Sequence, residues 1–406
     1  MTKKLPYILI FLLVGCATYQ GKVDSARKLM ADNNAEGAAK ALEPLAKEED
    51  KDQLVYLFDY ATALQVAGKY KESNVAFLAA DRLSDLKNYH SVSRIAGSLV
   101  LNEEMVQYKG EDYERLMINV MAGLNFLMMG DHENALVEIR ALNDKLEYYR
   151  IEEKREYEQN TMALYLSGMM WEDDRNYDSA YINYEKAYKR DPSIPILHED
   201  LVRLARLADR PEAYDKWRKQ FGVDFKPEWK NKSFGEVILI YQQGWGPRKY
   251  PRPEAPRFPK LFAQSSFTRT ARLDIEGRPS VTSEPVYSVQ DVAIKTLEDG
   301  YAALVAKRVA GMVTKGVVAS QVGQKNQALG VLVDIALNIS DRADLRQWST
   351  LPETFQVARV FVPAGKYKVS AQGLSSTGTP TGESWPAHEL DVRPNKKTIF
   401  VWRSYH

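Results

Sequence analysis

The chain has 406 residues, 45% of them apolar and 27% charged, with 55 Lys+Arg against 54 Asp+Glu. That balance excludes a disordered polyelectrolyte, and a single cysteine excludes a disulfide framework or a thiolate metal cluster within the chain. A chain this long exceeds one typical core, so two domains are expected.

The N-terminus reads as an export signal. Lys3 and Lys4 precede an apolar run from Leu5 to Val14. The run is too short to span a bilayer, which needs about 20 apolar residues, and it suits a cleaved signal peptide over residues 1–15. Leu13-Val14-Gly15-Cys16 follows, and Cys16 is the only cysteine. These four residues resemble the lipobox of bacterial lipoproteins. The resemblance implies lipid on Cys16 and membrane attachment through several acyl chains. Ala17 stands where an aspartate would retain such a lipoprotein in the inner membrane, so it implies an outer-membrane, periplasm-facing location. Residues 16–23 are then a short lipidated tether.

Residues 24–222 carry helical periodicity with a repeat of roughly 34 residues. The clearest copy is Thr161 to Ile194, with Gly168, Trp171, Tyr177, Ala180, Tyr184, Ala187 and Pro192. Small Gly168 and Ala180 let two helices approach closely, Asn176 and Asp178 suit the turn, and Pro192 ends the second helix. A second copy, Leu54 to Lys87, has Tyr60, Ala61, Leu64, Gly68, Tyr70, Phe77 and Ala80. A third starts near Leu116 with Gly123, Phe126, Gly130 and Ala135, and a weak first copy spans Tyr19 to Lys51. Extra helix is expected at Ala141–Gln159 and a degenerate pair at His90–Tyr108, with Pro195–Phe221 capping the array. These spacings resemble the tetratricopeptide repeat.

In such arrays the first helix of each hairpin lines a concave groove. The resemblance assigns Met117, Val120, Leu124, Leu127 and Met128 to that lining, and in the last copy Met162, Tyr165, Met169, Glu172 and Asp173. The helix from Leu116 to Met129 is apolar nearly all round, so something must cover it. Either helices of the same chain do so or a partner segment does, with Met117, Val120, Leu124, Leu127, Met128, Tyr165 and Met169 as the candidate partner-binding set.

Residues 223–406 form a basic, strand-rich second domain. Residues 17–222 hold 28 Lys+Arg and 37 Asp+Glu, a net of −9, whereas 223–406 hold 25 and 17, a net of +8. The halves either dock on each other, which needs no further partner, or the basic half faces an anionic envelope component. Val237–Tyr241 reads as a buried strand, and Thr270–Ile275 and Val281–Val289 as further strands. Between Pro247 and Pro259 five prolines alternate with Arg248, Lys249, Arg252 and Arg257. Extended polyproline-type backbone in a basic surface loop is expected there. Residues 290–338 read as helix, with core packing or membrane-surface contact as alternatives. Asp341, Arg342, Asp344 and Arg346 beside Trp348 form either a binding site or an ion-pair knot at the helix-to-strand junction. Phe355–Val360, Pro363-Ala364-Gly365 and Lys366–Val369 read as strand, turn, strand.

The fold class is therefore α+β, an all-α tetratricopeptide-like solenoid followed by a mixed α/β domain. With the lipobox, these motifs resemble a family of repeat-bearing bacterial outer-membrane lipoproteins, which implies envelope assembly. No HExxH, G-x-S-x-G, phosphate-loop or dinucleotide pattern occurs, so no catalytic residue, metal or cofactor is expected. The expected function is a lipid-anchored envelope scaffold with protein partners. The alternative is a peptidoglycan- or glycan-binding, or glycan-acting, protein working through residues 223–406. No nucleic-acid partner is expected.

Overall fold

The computed structural model describes residues 19–94, 107–151, 160–301 and 343–406. Cys16 and its signal segment, Asp341 and Arg342, and most of the expected helix at 290–338 lie outside the described residues. Among the described residues no helix is long and apolar enough to cross a membrane.

Among the described residues ten helices form five hairpins: α1 (Tyr19–Ala31) with α2 (Ala35–Lys47), α3 (Gln53–Val66) with α4 (Tyr70–Arg94), α5 (Asp112–Met128) with α6 (His132–Ile151), α7 (Thr161–Asp173) with α8 (Tyr177–Arg190), and α9 (Ile196–Leu207) with α10 (Pro211–Phe221). One turn geometry joins every pair. A residue with positive φ follows each first helix: Asn33, Gly68, Gly130, Arg175 and Asp209. The next amide then reaches back five residues, as in Asn34 to the Leu29 carbonyl at 2.8 Å and Asn176 to the Trp171 carbonyl at 2.8 Å. Lys69, Asp131 and Arg210 make the same bond to Leu64, Phe126 and Ala205. This is the Schellman closure, which satisfies carbonyls that the helix end would leave orphaned. Asn34 and Asn176 then cap the second helix through side-chain oxygens.

Gly168 shows why a small residue is needed at its position. A Cβ there would stand 2.7 Å from the buried Tyr184 ring, so α7 and α8 touch where only hydrogen fits. Gly222 ends α10 at φ 66°, at the expected domain boundary.

The described residues of the second half form three sheets. The first has the order β10-β1-β7-β6, built from β1 (Phe234–Gln243), β6 (Glu284–Ser288), β7 (Thr354–Pro363) and β10 (Lys397–Arg403). Here β10 runs parallel to β1, while β7 is antiparallel to it. The second has the order β5-β4-β8-β9, from β4 (Thr270–Ile275), β5 (Val281–Thr282), β8 (Gly365–Leu374) and β9 (Pro380–Val392). The third is the hairpin of β2 (Arg248–Arg252) and β3 (Ala255–Phe262). A helix, α11, begins at 289 and is described to 301.

Strand alternation explains the layering. On β1, Ile238 and Ile240 pack with the helical half, whereas Val237, Leu239 and Tyr241 pack with β4 and β8. On β7, Phe355 and Val357 face the helices, and Ala358 and Val362 face the second sheet. The first sheet is thus apolar on both faces, sandwiched between the helical groove and the second sheet. One core runs through the array and the first sheet.

The basic loop departs from expectation. Pro247–Pro259 is not a polyproline coil but contains a two-stranded ribbon in which Pro251 and Pro259 face each other at a register shift. Both strands of a ribbon are edges, so a residue without an N–H is tolerated there.

Candidate interaction site

The groove of the array is the place to look for a partner, and the chain itself fills it. Met117, Val120, Leu124, Tyr165 and Met169 have no exposed surface, Leu127 is buried, and Met128 is half-buried. Among the described residues the first sheet and the coil 343–352 cover it, and α11 packs Val289 and Ala293 into the same core. Thr161 at the start of α7 donates to the Val286 carbonyl at 2.6 Å. Gln242 of β1 donates to Gln65 of α3 at 3.3 Å.

The coil lies in the groove as an extended ligand peptide would. Trp348 is buried, stacked on Phe58 with ring centres 4.6 Å apart and tilted against Phe77 at 5.5 Å. Its indole N–H donates to the Thr62 hydroxyl at 2.9 Å. Two fully buried carboxylates then read the coil backbone. Glu114 accepts from the Trp348 amide at 2.6 Å and from the Tyr108 hydroxyl at 2.5 Å. Asp59 accepts from the Thr350 amide at 3.0 Å, the Thr350 hydroxyl at 2.8 Å and the Tyr19 hydroxyl at 2.6 Å. Burial pushes Asp59 up to about 6 and Glu114 to about 7, against the pull of these donors. Arg346 pairs with Asp344 at 2.7 Å and with Asp52 of the array at 2.8 Å. Of the junction charges, Asp344 and Arg346 therefore form an ion pair that also pins the coil to Asp52 at the start of α3.

The acidic end of the groove holds a second knot. Glu172 and Asp200 from the array meet Arg359 of β7, at 3.4 and 2.7 Å, and Lys397 of β10 lies 3.2 Å from Glu172. Arg203 of α9 and Glu236 of β1 complete it, with Arg203 2.9 Å from Glu172 and Lys397 2.6 Å from Glu236. Three anions face three cations, and every side chain among them is at most 5% exposed except Glu236, at 12%. These cations hold the Glu172 carboxyl well below the usual carboxylate range in spite of its burial. A third contact joins Arg248 to Asp24 of α1 at 2.5 Å. The acidic and basic halves are docked on each other.

Two residues of the expected basic surface, Arg248 and Lys249, are consumed in this docking, and Arg252 is paired within the second half. Lys249 is 1% exposed, ion-paired with Glu111 and donating to the Arg346 carbonyl at 3.0 Å. Arg252 is buried, pairs with Glu298 at 2.6 Å and stacks on Tyr301 at 3.8 Å. They are therefore not surface residues, because opposite charges await them on α5 and α11. The Arg257 side chain lies outside the described residues. The outward face of the ribbon instead shows Tyr250 and Phe262, 47% and 37% exposed, with Lys260 over the Phe262 ring at 5.7 Å.

Sequence reasoning missed Asp59, Glu114, Arg359 and Lys397. Asp59 had a signal: it is the one charge in the apolar run Leu54–Leu64. Among the described residues no group of His, Cys, Asp or Glu is placed to hold a metal ion.

No family model and no curated protein matches the chain. Among solved structures, residues amounting to 49% of this chain match 88% of MamA from Desulfovibrio magneticus at 16% identity, with a TM-score of 0.32. A repeat protein described as a putative kinesin light chain of Podosopora anserina matches 50% of this chain over 92% of its own, at 12% identity and a TM-score of 0.34. PilW, described as a type IV pilus biogenesis factor, matches 49% over 90%, at 12% identity and a TM-score of 0.25. The assignment of the helical half rests on its own five identical closures rather than on these likenesses.

Proposed function

We propose that this protein is a non-catalytic scaffold of the bacterial envelope, tethered to the outer membrane by lipid on Cys16, that binds protein partners outside its groove. The carrying observation is the occupied groove: the surface where repeat arrays take peptides holds residues 343–352 and the first sheet. The outward face of β2–β3 is the partner surface, because it joins an exposed aromatic pair to a lysine. That composition fits an acidic protein surface.

Photocrosslinking groups placed at Tyr250 and Phe262 are expected to give discrete protein adducts in intact envelopes. The same groups at Leu124 and Met117 are expected to crosslink only within the chain. Intermolecular adducts from the groove positions, with none from the ribbon, would overturn the reading. For the anchor, Cys16→Ser is expected to move the protein to the soluble fraction; an acyl-labelled, membrane-bound variant refutes it.

A further inference from the structure

Among the described residues the exposed large apolar side chains are unevenly placed. Val75, Val137 and Tyr148 lie on α4 and α6, whereas Tyr250, Phe262 and Phe267 fall within one stretch of the second half. An apolar side chain exposed singly needs no explanation, but a group of rings marks a contact surface. Tyr250 and Phe262 meet edge to face on the ribbon, with ring centres 5.8 Å apart.

This stretch is fastened to α1. Arg248 and Phe262 are paired at the open end of the ribbon, and α1 grips that end. Gln20 donates to the Lys249 carbonyl at 2.9 Å, Asp24 takes Arg248 at 2.5 Å, and Arg27 donates to Gln264 at 3.1 Å. Arg27 also lies over the Trp245 ring at 4.3 Å. Positions 20, 24 and 27 stand at i, i+4 and i+7, which is one face of a helix. The exposed rings therefore keep a fixed place beside the first two turns of α1.

The same helix follows Cys16. From Cys16 to Gln20 the chain advances four residues, at most ~14 Å at ~3.5 Å per residue. The Gln20 side chain and its bond to Lys249 add about 10 Å, so the Tyr250 backbone stands within ~25 Å of Cys16. A small domain is about 30 Å across. With lipid on Cys16, the ribbon face is held less than one domain's width from the bilayer.

We infer that the protein received by Tyr250 and Phe262 is itself embedded in the same membrane and meets them with an acidic surface at the bilayer. The inference rests on the anchor and the ribbon face of the proposed function, and adds where the partner resides. A soluble partner approaches at any height and gains nothing from a short tether. An embedded partner presents its surface at one height, and only a face held at that height reaches it. Confining both to one membrane also raises their effective concentration for each other without any further contact. Lys260, over the Phe262 ring, supplies the charge that an acidic surface complements.

A cleavable photocrosslinker at Tyr250 of the full lipidated chain tests this in intact envelopes. A discrete protein adduct is expected, and after cleavage its partner is expected to stay in carbonate-washed membranes. A stiff proline-rich spacer of about 20 residues between Ala17 and Thr18, roughly 60 Å long at ~3.1 Å per residue, is expected to cut the adduct yield at least about fivefold with an unchanged melting temperature. The wash uses the unaltered tether and decides the matter if the spacer chain is not exported. Release of the partner by the wash overturns the inference, as does an undiminished yield from an acyl-labelled spacer chain, and the ribbon reading then stands. Adducts to lipid alone, or none at all, remove the ribbon reading itself and this inference with it.

Discussion

Replacing Trp348 by alanine tests whether the coil 343–352 holds the two halves together. The side chain is 2% exposed and packs between Phe58 and Phe77. Truncating a buried aromatic to alanine costs about 3–5 kcal/mol, because transfer free energy is lost and a cavity remains. The lost indole hydrogen bond adds little, since the Thr62 hydroxyl keeps its bond to the Phe58 carbonyl at 2.9 Å. The Trp348 amide bond to Glu114 belongs to the backbone and survives if the coil stays docked. A loss of about 4 kcal/mol is therefore expected, a large share of the ~5–15 kcal/mol that stabilises a folded domain. Urea unfolding followed by circular dichroism measures it, and hydrogen exchange at 349–351 reports whether the coil lifts from Asp59. A loss below about 1 kcal/mol, with protection at Thr350 unchanged, would refute the view that Trp348 anchors the coil.

Three further outcomes follow from the same contacts. Gly168→Ala is expected to lower stability by about 1–3 kcal/mol through overpacking on Tyr184, whereas Gly123→Ala, whose new Cβ would meet nothing closer than 3.7 Å, is expected to be neutral or to stabilise by up to ~1 kcal/mol; equal effects in thermal melts would refute this. Arg359→Met leaves Glu172 and Asp200 with Arg203 but breaks their bridge to β7 and is expected to cost about 1.5–3 kcal/mol in urea unfolding, and a cost under 1 kcal/mol contradicts the knot. Asp59 and Glu114 sit at about 6 and about 7 in the folded chain and near 4 when unfolded. The native state then holds more protons between about pH 4 and 7, so stability falls as pH rises through that window, by on the order of 3 kcal/mol per group. Glu172, shifted the other way, contributes stability that is present above its unfolded value and lost as pH falls below about 4. Melting temperature should peak on the acid side of neutrality, and Asp59→Asn with Glu114→Gln should flatten the fall toward pH 7; a wild-type chain most stable above pH 7 would refute the assignment.

Much of the helical half was legible because each hairpin obeys local rules. Glycine or asparagine closes the turn at Gly68, Gly130 and Asn33, and a small residue faces an aromatic ring at Gly168. The strands β1, β4, β7 and β8 were legible for the same reason, since alternation and the Pro363-Ala364-Gly365 turn are local signals. What failed was long range. Nothing in Lys397–Arg403 says that it runs parallel to a strand beginning at Phe234. The strand β9 is mostly exposed, so its pattern carries little apolar signal. Lys249 looked like a surface residue because its neighbours are prolines and bases, and only the distant Glu111 makes its burial affordable. An apolar lining says that something packs in the groove, not what, so the sheet and coil that share its core were not legible.

The charge asymmetry of the two halves takes on a definite meaning once the contacts are known. Anions of the array meet cations of the second half at three stations along the groove: Asp24 with Arg248, Asp52 and Glu111 with Arg346 and Lys249, and Glu172 with Asp200 against Arg359 and Lys397. Apolar packing alone would leave the sheet free to slide along a groove lined by interchangeable aliphatic side chains. Buried charges remove that freedom, because a shift of one residue on β7 turns Arg359 to the opposite face and takes it away from both carboxylates. The stations therefore fix the register of docking, and their net stabilisation is secondary. They also bear on partner choice. A peptide competing for the groove would have to break all three stations and cover Asp59 and Glu114 with donors placed as Thr350 and Trp348 place theirs. An outside partner meets no such requirement at the ribbon face, which is why the scaffold reading puts binding there.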